Sequence, residues 1–164
     1  MTIAFAKAIV HGVDMQFDRT RIATVAYSTE VIDYFYLNAY QDKESVINSL
    51  SFYHKGGRTN TQAALNLMNE DIFTFTNGDR SFVRNVAIVV TDGYSNVDEF
   101  NTIPEATRAK DNGVDVYTVA IAESPDLREM NDMASDPDSE FAYRLPSIND
   151  VDRVANELLD QLCQ

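Results

Sequence analysis

The run Val86-Ala87-Ile88-Val89-Val90, which leads directly into Thr91-Asp92-Gly93, decides the fold of this chain. A continuous apolar run of this length is typical of a strand that is covered on both faces of a sheet. Asp92 then lies at the end of that strand, where a carboxylate can meet a metal ion or a ligand. The Asp-Gly pair also suits a simple turn, and the residues of this segment leave both interpretations open.

Predicted strands and helices alternate on both sides of this run. The other predicted strands lie at 22–28, 31–37, 114–122 and 141–145, and the predicted helices at 3–17, 43–52, 62–73, 104–113, 127–134 and 148–162. Strands that alternate with helices imply right-handed crossovers and a mostly parallel α/β sheet with helices on both faces. The first of these helices has no strand before it. Because no linker or repeat interrupts the pattern, we predict a single domain over residues 1–164.

Composition excludes two classes of function. The 164 residues carry 13 Lys and Arg against 26 Asp and Glu, which gives a net charge of −13. Nucleic-acid binding depends on basic residues that neutralise phosphates, so this balance disfavours it. No apolar run approaches the roughly 20 residues that cross a bilayer, so we expect no membrane insertion. Most of the acidic excess lies after Thr91, either as a solvated surface or as a surface that attracts cations or basic partners.

Two loops carry groups suited to binding. One is Gly56-Gly57-Arg58-Thr59-Asn60-Thr61, directly before a helix, and the other is residues 91–96, directly after the apolar strand. Ligands of an open α/β sheet bind at the carboxyl ends of its strands, in loops of this kind. The threonines of the first loop equally suit helix capping. The sequence contains no G-x-G-x-x-G, G-x-S-x-G or H-E-x-x-H motif, so the common enzyme signatures are absent.

Taken together, these segments resemble a von Willebrand factor type A (VWA) domain. They cover essentially the whole chain in the family's order: RTRIATVAYSTEV (19–31), GGRTNTQAAL (56–65), VRNVAIVVTDGYSN (83–96), VDVYTVAIA (114–122) and LREMNDMAS (127–135), with a closing helix. The combination of GG-x-T-N-T-x-x-A-L with V-x-T-D-G is specific. The character is similar to that of extracellular-matrix members such as matrilins and the non-collagenous domains of collagen VI.

The resemblance implies a Rossmann-like, doubly wound sheet and, in many members, a metal-ion-dependent adhesion site (MIDAS). The family site takes its ligands from a D-x-S-x-S motif after the first strand, a Thr in a second loop and an Asp in a third. By this resemblance Thr59 and Asp92 are the metal ligands in this sequence. The implied ion is Mg²⁺, which takes oxygen ligands and keeps several waters, so that a carboxylate of a partner can reach it.

The sequence departs from the family pattern at its start. It contains no D-x-S-x-S motif, and it begins at the helix that this motif should precede. In the family fold the missing first strand is central, between the strands at 22–28 and 86–90, so both neighbours would keep unpaired backbone groups. We therefore hypothesise that the sequence is N-terminally incomplete. Thr59 and Asp92 alone are expected to hold Mg²⁺ weakly.

The lone Cys163 fits the same hypothesis. Matrix members of the family often carry a cysteine just beyond the last helix, which pairs with one just before the first strand. The resemblance thus implies a bridge to a residue upstream of Met1, and an inert thiol is the alternative.

The sequence therefore predicts a non-enzymatic adhesion module of a secreted extracellular-matrix protein. We expect it to bind the carboxylate of a matrix or cell-surface protein through the metal site, with collagen as one candidate partner. Arg58, Tyr94 and Ser95 are the predicted partner-binding residues around that site. One alternative is metal-independent matrix assembly. Another is a Rossmann-like enzyme that uses Asp92 as its catalytic or metal-binding carboxylate.

Overall fold

Helices and strands follow the predicted order closely. The computed structural model describes residues 1–51, 56–92, 94–121 and 127–162. The strands are β1 (Thr24–Tyr27), β2 (Val31–Phe35), β3 (Asn85–Thr91), β4 (Val114–Ala120) and β5 (Ala142–Arg144). The α-helices are α1 (Thr2–Gly12), α2 (Lys43–Ser49), α3 (Thr61–Leu67), α4 (Thr102–Asp111), α5 (Arg128–Met133), α6 (Asp138–Phe141) and α7 (Val151–Leu162). The predicted element ends at Phe52 and Ala122, and Cys163, lie outside the described residues.

Three of the strands form a parallel sheet in the order β3-β4-β5. Asn85 to Thr91 of β3 pair one to one with Val114 to Ala120 of β4. The side chains of β3 alternate between two cores. Ala87 and Val89 face a cluster that includes α3, α4 and α5, whereas Val86, Ile88 and Val90 face a cluster that includes α1 and α7. Helices therefore cover both faces, and the predicted α/β, doubly wound architecture is confirmed.

The remaining two strands, β1 and β2, form a separate antiparallel sheet. Within the described residues β1 pairs only with β2, and β3 pairs only with β4. All four residues of β1 are partly exposed, whereas β4 is buried at every position except Asp115. The side chains of Val25 and Ala87 nevertheless belong to one apolar cluster. In the described residues β1 and β3 therefore pack through side chains and are not paired through backbone hydrogen bonds.

The first helix is shorter than the sequence predicts. It ends at Gly12 rather than continuing to Phe17, whose side chain is 90% exposed and whose φ is +53°. Val13 is extended, and the Asp14 carboxylate accepts a hydrogen bond from the Gln16 backbone at 2.9 Å, which ends the helix. A Cβ at Gly12 would lie 2.1 Å from a methyl carbon of Leu159 in α7. The glycine therefore permits α1 and α7 to pack closely, at a cost in helix propensity.

Candidate metal and partner site

The loop that carries Thr59 is shaped by two glycines and by the turn after β1. Gly57 has a φ of +115°, and a Cβ there would lie 2.8 Å from the Thr29 hydroxyl oxygen. That hydroxyl oxygen accepts a hydrogen bond from the Arg58 backbone N–H at 3.1 Å. A side chain at position 57 would therefore displace the group that holds the loop. Glycine is therefore required at position 57, because only a residue without a Cβ allows the backbone to lie this close to the Thr29 hydroxyl.

Asn60 fixes the next position of the loop. Its side-chain oxygen accepts a hydrogen bond from Ala63 at 3.1 Å and so caps α3. Its amide nitrogen donates to the Thr29 carbonyl at 3.0 Å, and its backbone N–H donates to the Ser28 carbonyl at 2.8 Å. The capping role considered for the threonines therefore belongs to Asn60. The Thr59 hydroxyl is not required by the helix, which leaves it available as a ligand.

Thr59 and Asn96 join the two candidate loops. The Thr59 backbone N–H donates to the Asn96 side-chain oxygen at 2.8 Å, and the Asn96 backbone N–H donates to the Thr59 carbonyl at 2.9 Å. Val97 donates to the same carbonyl at 3.2 Å. The Arg58 guanidinium also donates to the Asn96 carbonyl. The loop after β3 is thus held against the loop before α3 by four hydrogen bonds.

Asp92 follows directly after β3, and its side chain is exposed. The pairing of the sheet extends to this end, because the Ile121 backbone N–H donates to the Thr91 carbonyl at 2.8 Å. Asp92 is therefore anchored at the carboxyl end of β3, on the edge where the Thr59 loop also lies. This is the edge at which open α/β sheets bind their ligands.

Buried hydroxyl groups lie beneath this edge. The hydroxyl oxygens of Tyr27, Thr61 and Ser95 are buried and make no hydrogen bond of normal geometry. Burial raises the pKa of the Tyr27 phenol, the neighbouring hydroxyls of Thr61 and Thr91 oppose this shift, and the charges of Glu129 and Asp92 add to it. The Tyr27 hydroxyl thus lies beside two other hydroxyl groups and within the field of two carboxylates. Buried polar groups without partners are costly, and in native proteins they often mark sites of function.

The donor set fits a hard cation in kind but not in number. Thr59 and Asp92 supply a hydroxyl and a carboxylate, both of which are oxygen ligands of the type Mg²⁺ prefers. Two protein ligands leave most of the roughly six positions of Mg²⁺ to water or to a partner. Within the part of the chain that the structure describes, no three His, Cys, Asp or Glu side chains are grouped closely enough to hold a metal ion. The residues present are thus compatible with a weak, open site.

The predicted partner-binding residues differ in their accessibility. Tyr94 is 41% exposed, and Arg58 is exposed at the joint between the two loops. Ser95 is only 2% exposed, so its side chain lies beneath the surface and is not available to a partner in this conformation. Its backbone N–H donates to the Glu129 carboxylate at 2.9 Å.

Three residues of the site were not predicted from the sequence. Asn60 lies directly before α3, where asparagine is a common capping residue. The sequence prediction gave the capping role to the neighbouring threonines instead. Asn96 and Glu129 act on groups 37 and 34 residues away in the chain, so no local pattern indicates their contacts.

The fold and the loop edge define an α/β domain of the ligand-binding type, and the family follows from comparison. The family model for the von Willebrand factor type A domain matches residues 1–157. The chain belongs to this family, and the resemblance inferred from its motifs is confirmed.

The related proteins are collagens and matrilins by name. The chain is 31% identical over 160 residues to the collagen alpha-1(XII) chain of Notophthalmus viridescens, which covers 97% of this chain and 17% of that protein. It is 28% identical over 162 residues to human matrilin-1, which covers 97% of this chain and 32% of that protein. The chain therefore spans a third or less of the length of these relatives.

Solved structures share the fold. Proximal thread matrix protein 1 from the mussel byssus, with a zinc-occupied MIDAS motif, has a TM-score of 0.85 at 22% identity, over 99% of this chain and 42% of that one. Manganese-loaded TRAP protein from Plasmodium vivax has a TM-score of 0.77 at 14% identity, over 96% of this chain and 65% of that one. One of these neighbouring proteins holds zinc and the other manganese.

None of the helices in the described residues is both long and apolar enough to cross a membrane.

Proposed function

We propose that this chain is a non-enzymatic adhesion module of an extracellular-matrix protein, which binds a carboxylate of its partner through a divalent cation at Thr59 and Asp92. The observation that carries the proposal is the pair of hydrogen bonds between Thr59 and Asn96. Those bonds hold the loop of the hydroxyl ligand against the loop that begins at the carboxylate ligand. Family membership and the names of the relatives support the same function.

The chemistry proposed for the site follows from its ligands. When bound, Mg²⁺ would supply a positive centre that attracts an incoming Glu or Asp side chain of the partner. Asp92 would neutralise only part of the ion's charge, and the neutral Thr59 hydroxyl would neutralise none. The exposed ring of Tyr94 and the guanidinium of Arg58 are the side chains we propose to contact the partner around this centre.

Partner and location are inferred from the relatives. Collagen XII and the matrilins are extracellular-matrix proteins, so we propose a secreted chain with matrix or cell-surface proteins, among them collagen, as partners. The net charge of −13 supports a protein partner rather than a nucleic acid.

Metal-independent assembly is the second candidate. The observation that favours it is the incomplete ligand set, because two oxygen ligands hold Mg²⁺ only weakly without further help. In that case the domain would contact the matrix through its helices and its acidic surface.

Titration of the 164-residue chain with Mg²⁺ tests the metal-dependent proposal. We expect wild type to bind the ion by calorimetry, and Asp92→Asn and Thr59→Ala to bind it at least about tenfold more weakly, since each loses a direct ligand. Asp152→Asn removes one exposed carboxylate from α7 and serves as the charge-matched control. Binding to immobilised collagen should depend on Mg²⁺ in wild type and in Asp152→Asn, and should lose this dependence in Asp92→Asn and Thr59→Ala.

Two other outcomes would change the conclusion. Collagen binding that is equal with Mg²⁺ and with a chelator, and unchanged in Asp92→Asn, would replace the metal-dependent function by metal-independent assembly. Turnover of a phosphate or ester substrate that is lost in Asp92→Asn would contradict the non-enzymatic assignment.

A further inference from the structure

Glu129 reaches the metal-site edge from a distant element. It lies in the first turn of α5, and its carboxylate accepts a hydrogen bond from the Ser95 backbone N–H at 2.9 Å. Two methionines anchor this helix, as Met130 and Met133 are only 5% and 0% exposed in the core. The helix that carries the Glu129 carboxylate is therefore held in place by the core where it contacts the loop after β3.

The loop between Asp92 and Val97 is held from two sides. Ser95 is bound by Glu129 on one side, and the next residue, Asn96, exchanges two hydrogen bonds with Thr59 on the other. Ser95 is 2% exposed and its hydroxyl is buried without a hydrogen-bond partner, so its backbone N–H makes the contact with Glu129. This contact ties the buried residue of the loop to α5.

Glu129 also contributes charge at this edge. Its contact with Ser95 ties its carboxylate to the loop that follows Asp92, and the charges of both carboxylates raise the pKa of the buried Tyr27 hydroxyl. Two negative charges at one edge attract a cation more strongly than one charge does.

We propose that Glu129 is a positioning residue for the site. It holds Ser95 so that Asn96 meets Thr59 and Asp92 faces the same edge, and its charge adds to the attraction for a cation. The positioning role rests on hydrogen bonds of this structure, whereas the effect on metal binding rests on the proposed function. The two roles are separable, because a glutamine at position 129 keeps a hydrogen-bond acceptor and loses the charge.

Amide hydrogen exchange in the metal-free chain tests the positioning role. We expect Glu129→Ala to raise the exchange rate of the Ser95 and Asn96 amides roughly tenfold, because a hydrogen bond to a charged group is lost. Glu129→Gln should retain most of the protection. Glu44→Ala removes an exposed carboxylate from α2 and should leave both amides unchanged. Equal protection of these amides in wild type and Glu129→Ala would overturn the proposal.

Calorimetric titration of the same variants with Mg²⁺ tests the effect on the site. We expect Glu129→Ala to bind Mg²⁺ more weakly than Glu129→Gln, and Glu129→Gln more weakly than wild type. Equal affinity in all three would overturn the role of Glu129 in metal binding. If wild type itself does not bind Mg²⁺, the proposed function fails, while the exchange experiment still decides the positioning role.

Discussion

Thr59 and Asn96 exchange two hydrogen bonds between loops that are 37 residues apart. The Asn96 side-chain oxygen accepts from the Thr59 backbone at 2.8 Å, and the Thr59 carbonyl accepts from the Asn96 backbone at 2.9 Å. One loop carries the proposed hydroxyl ligand, Thr59, and the other begins at the proposed carboxylate ligand, Asp92. Any cation bound between Thr59 and Asp92 therefore depends on this contact for the relative position of its two ligands.

The first prediction concerns Asn96. We expect Asn96→Ala to weaken Mg²⁺ binding about fivefold, because it removes one of the four hydrogen bonds that hold the Thr59 loop against the loop after β3. Asn96→Asp keeps a side-chain acceptor at the same place and should bind Mg²⁺ at least as well as wild type. Calorimetric titration of the three proteins gives the comparison. An Asn96→Ala affinity equal to that of wild type would show that the contact does not organise the site.

The second prediction separates the roles of Asn60 and Thr59. Asn60→Ala should lower the free energy of unfolding by about 1–3 kcal/mol, since it removes both the cap of α3 and the bond to Thr29. Thr59→Ala should leave stability nearly unchanged while it reduces metal affinity. Chemical denaturation measures both values. Comparable destabilisation by Thr59→Ala would mean that Thr59 is structural rather than a ligand.

The third prediction uses two neighbouring glycines as a matched pair. Gly57→Ala should destabilise the domain by about 1 kcal/mol or more, because φ is +115° and the new Cβ would meet the Thr29 hydroxyl. Gly56→Ala should cost less, since φ is +63° and no atom lies within 4 Å of the added Cβ. Thermal unfolding of the two variants should show this order. The reverse order would indicate that the contact with Thr29 does not restrict the loop.

The fourth prediction concerns pH. The raised pKa of the buried Tyr27 hydroxyl means that the folded chain keeps its proton at a pH where the unfolded chain loses it. Stability should therefore fall as the pH rises above the ordinary tyrosine value of 10.0. Tyr27→Phe should remove this part of the loss. At neutral pH it should be as stable as wild type, because a buried hydroxyl without a good partner is removed. Melting temperatures at neutral and alkaline pH measure both effects, with exposed Tyr34→Phe as the control.

The fifth prediction concerns the break between β1 and β3. Both strands have an edge without a strand partner in the described residues. We expect a fusion that adds an apolar strand of about seven residues ahead of Met1 to raise the melting temperature, because it would pair with backbone groups on both strands. A Gly-Ser extension of equal length is the control. Equal melting temperatures for the two fusions would show that the added strand does not pair with β1 and β3.

Much of the fold was predictable because its signals are local. The apolar run at Val86–Val90 identified β3, and Asp42 identified the start of α2. Gly113, which has a positive φ, indicated the end of α4, two residues after Asp111. These features act within a few residues of themselves. The predicted first helix was too long because the apolar spacing, also a local signal, continues to Phe17. In the structure the helix ends at Gly12, before the turn at Asp14.

The site was only partly predictable. Thr59 and Asp92 were selected because their motifs match those of a family. In the structure Asp92 follows β3 directly, and Thr59 is hydrogen-bonded to Asn96 in the loop after that strand. Their supporting contacts were not visible in the sequence. Ser95 was expected at the surface and is buried, because the loop after β3 turns inward to meet Glu129.

The sequence by itself determined the class of this domain, its order of helices and strands, and the two loops that carry oxygen ligands. Only the tertiary structure decided which neighbours hold those loops: Asn96 for Thr59, Thr29 for Arg58 and Glu129 for Ser95. The reason is physical. Periodicity and capping act over a few residues, whereas these hydrogen bonds join residues 29 to 37 positions apart. They exist only once the strands have brought their ends together.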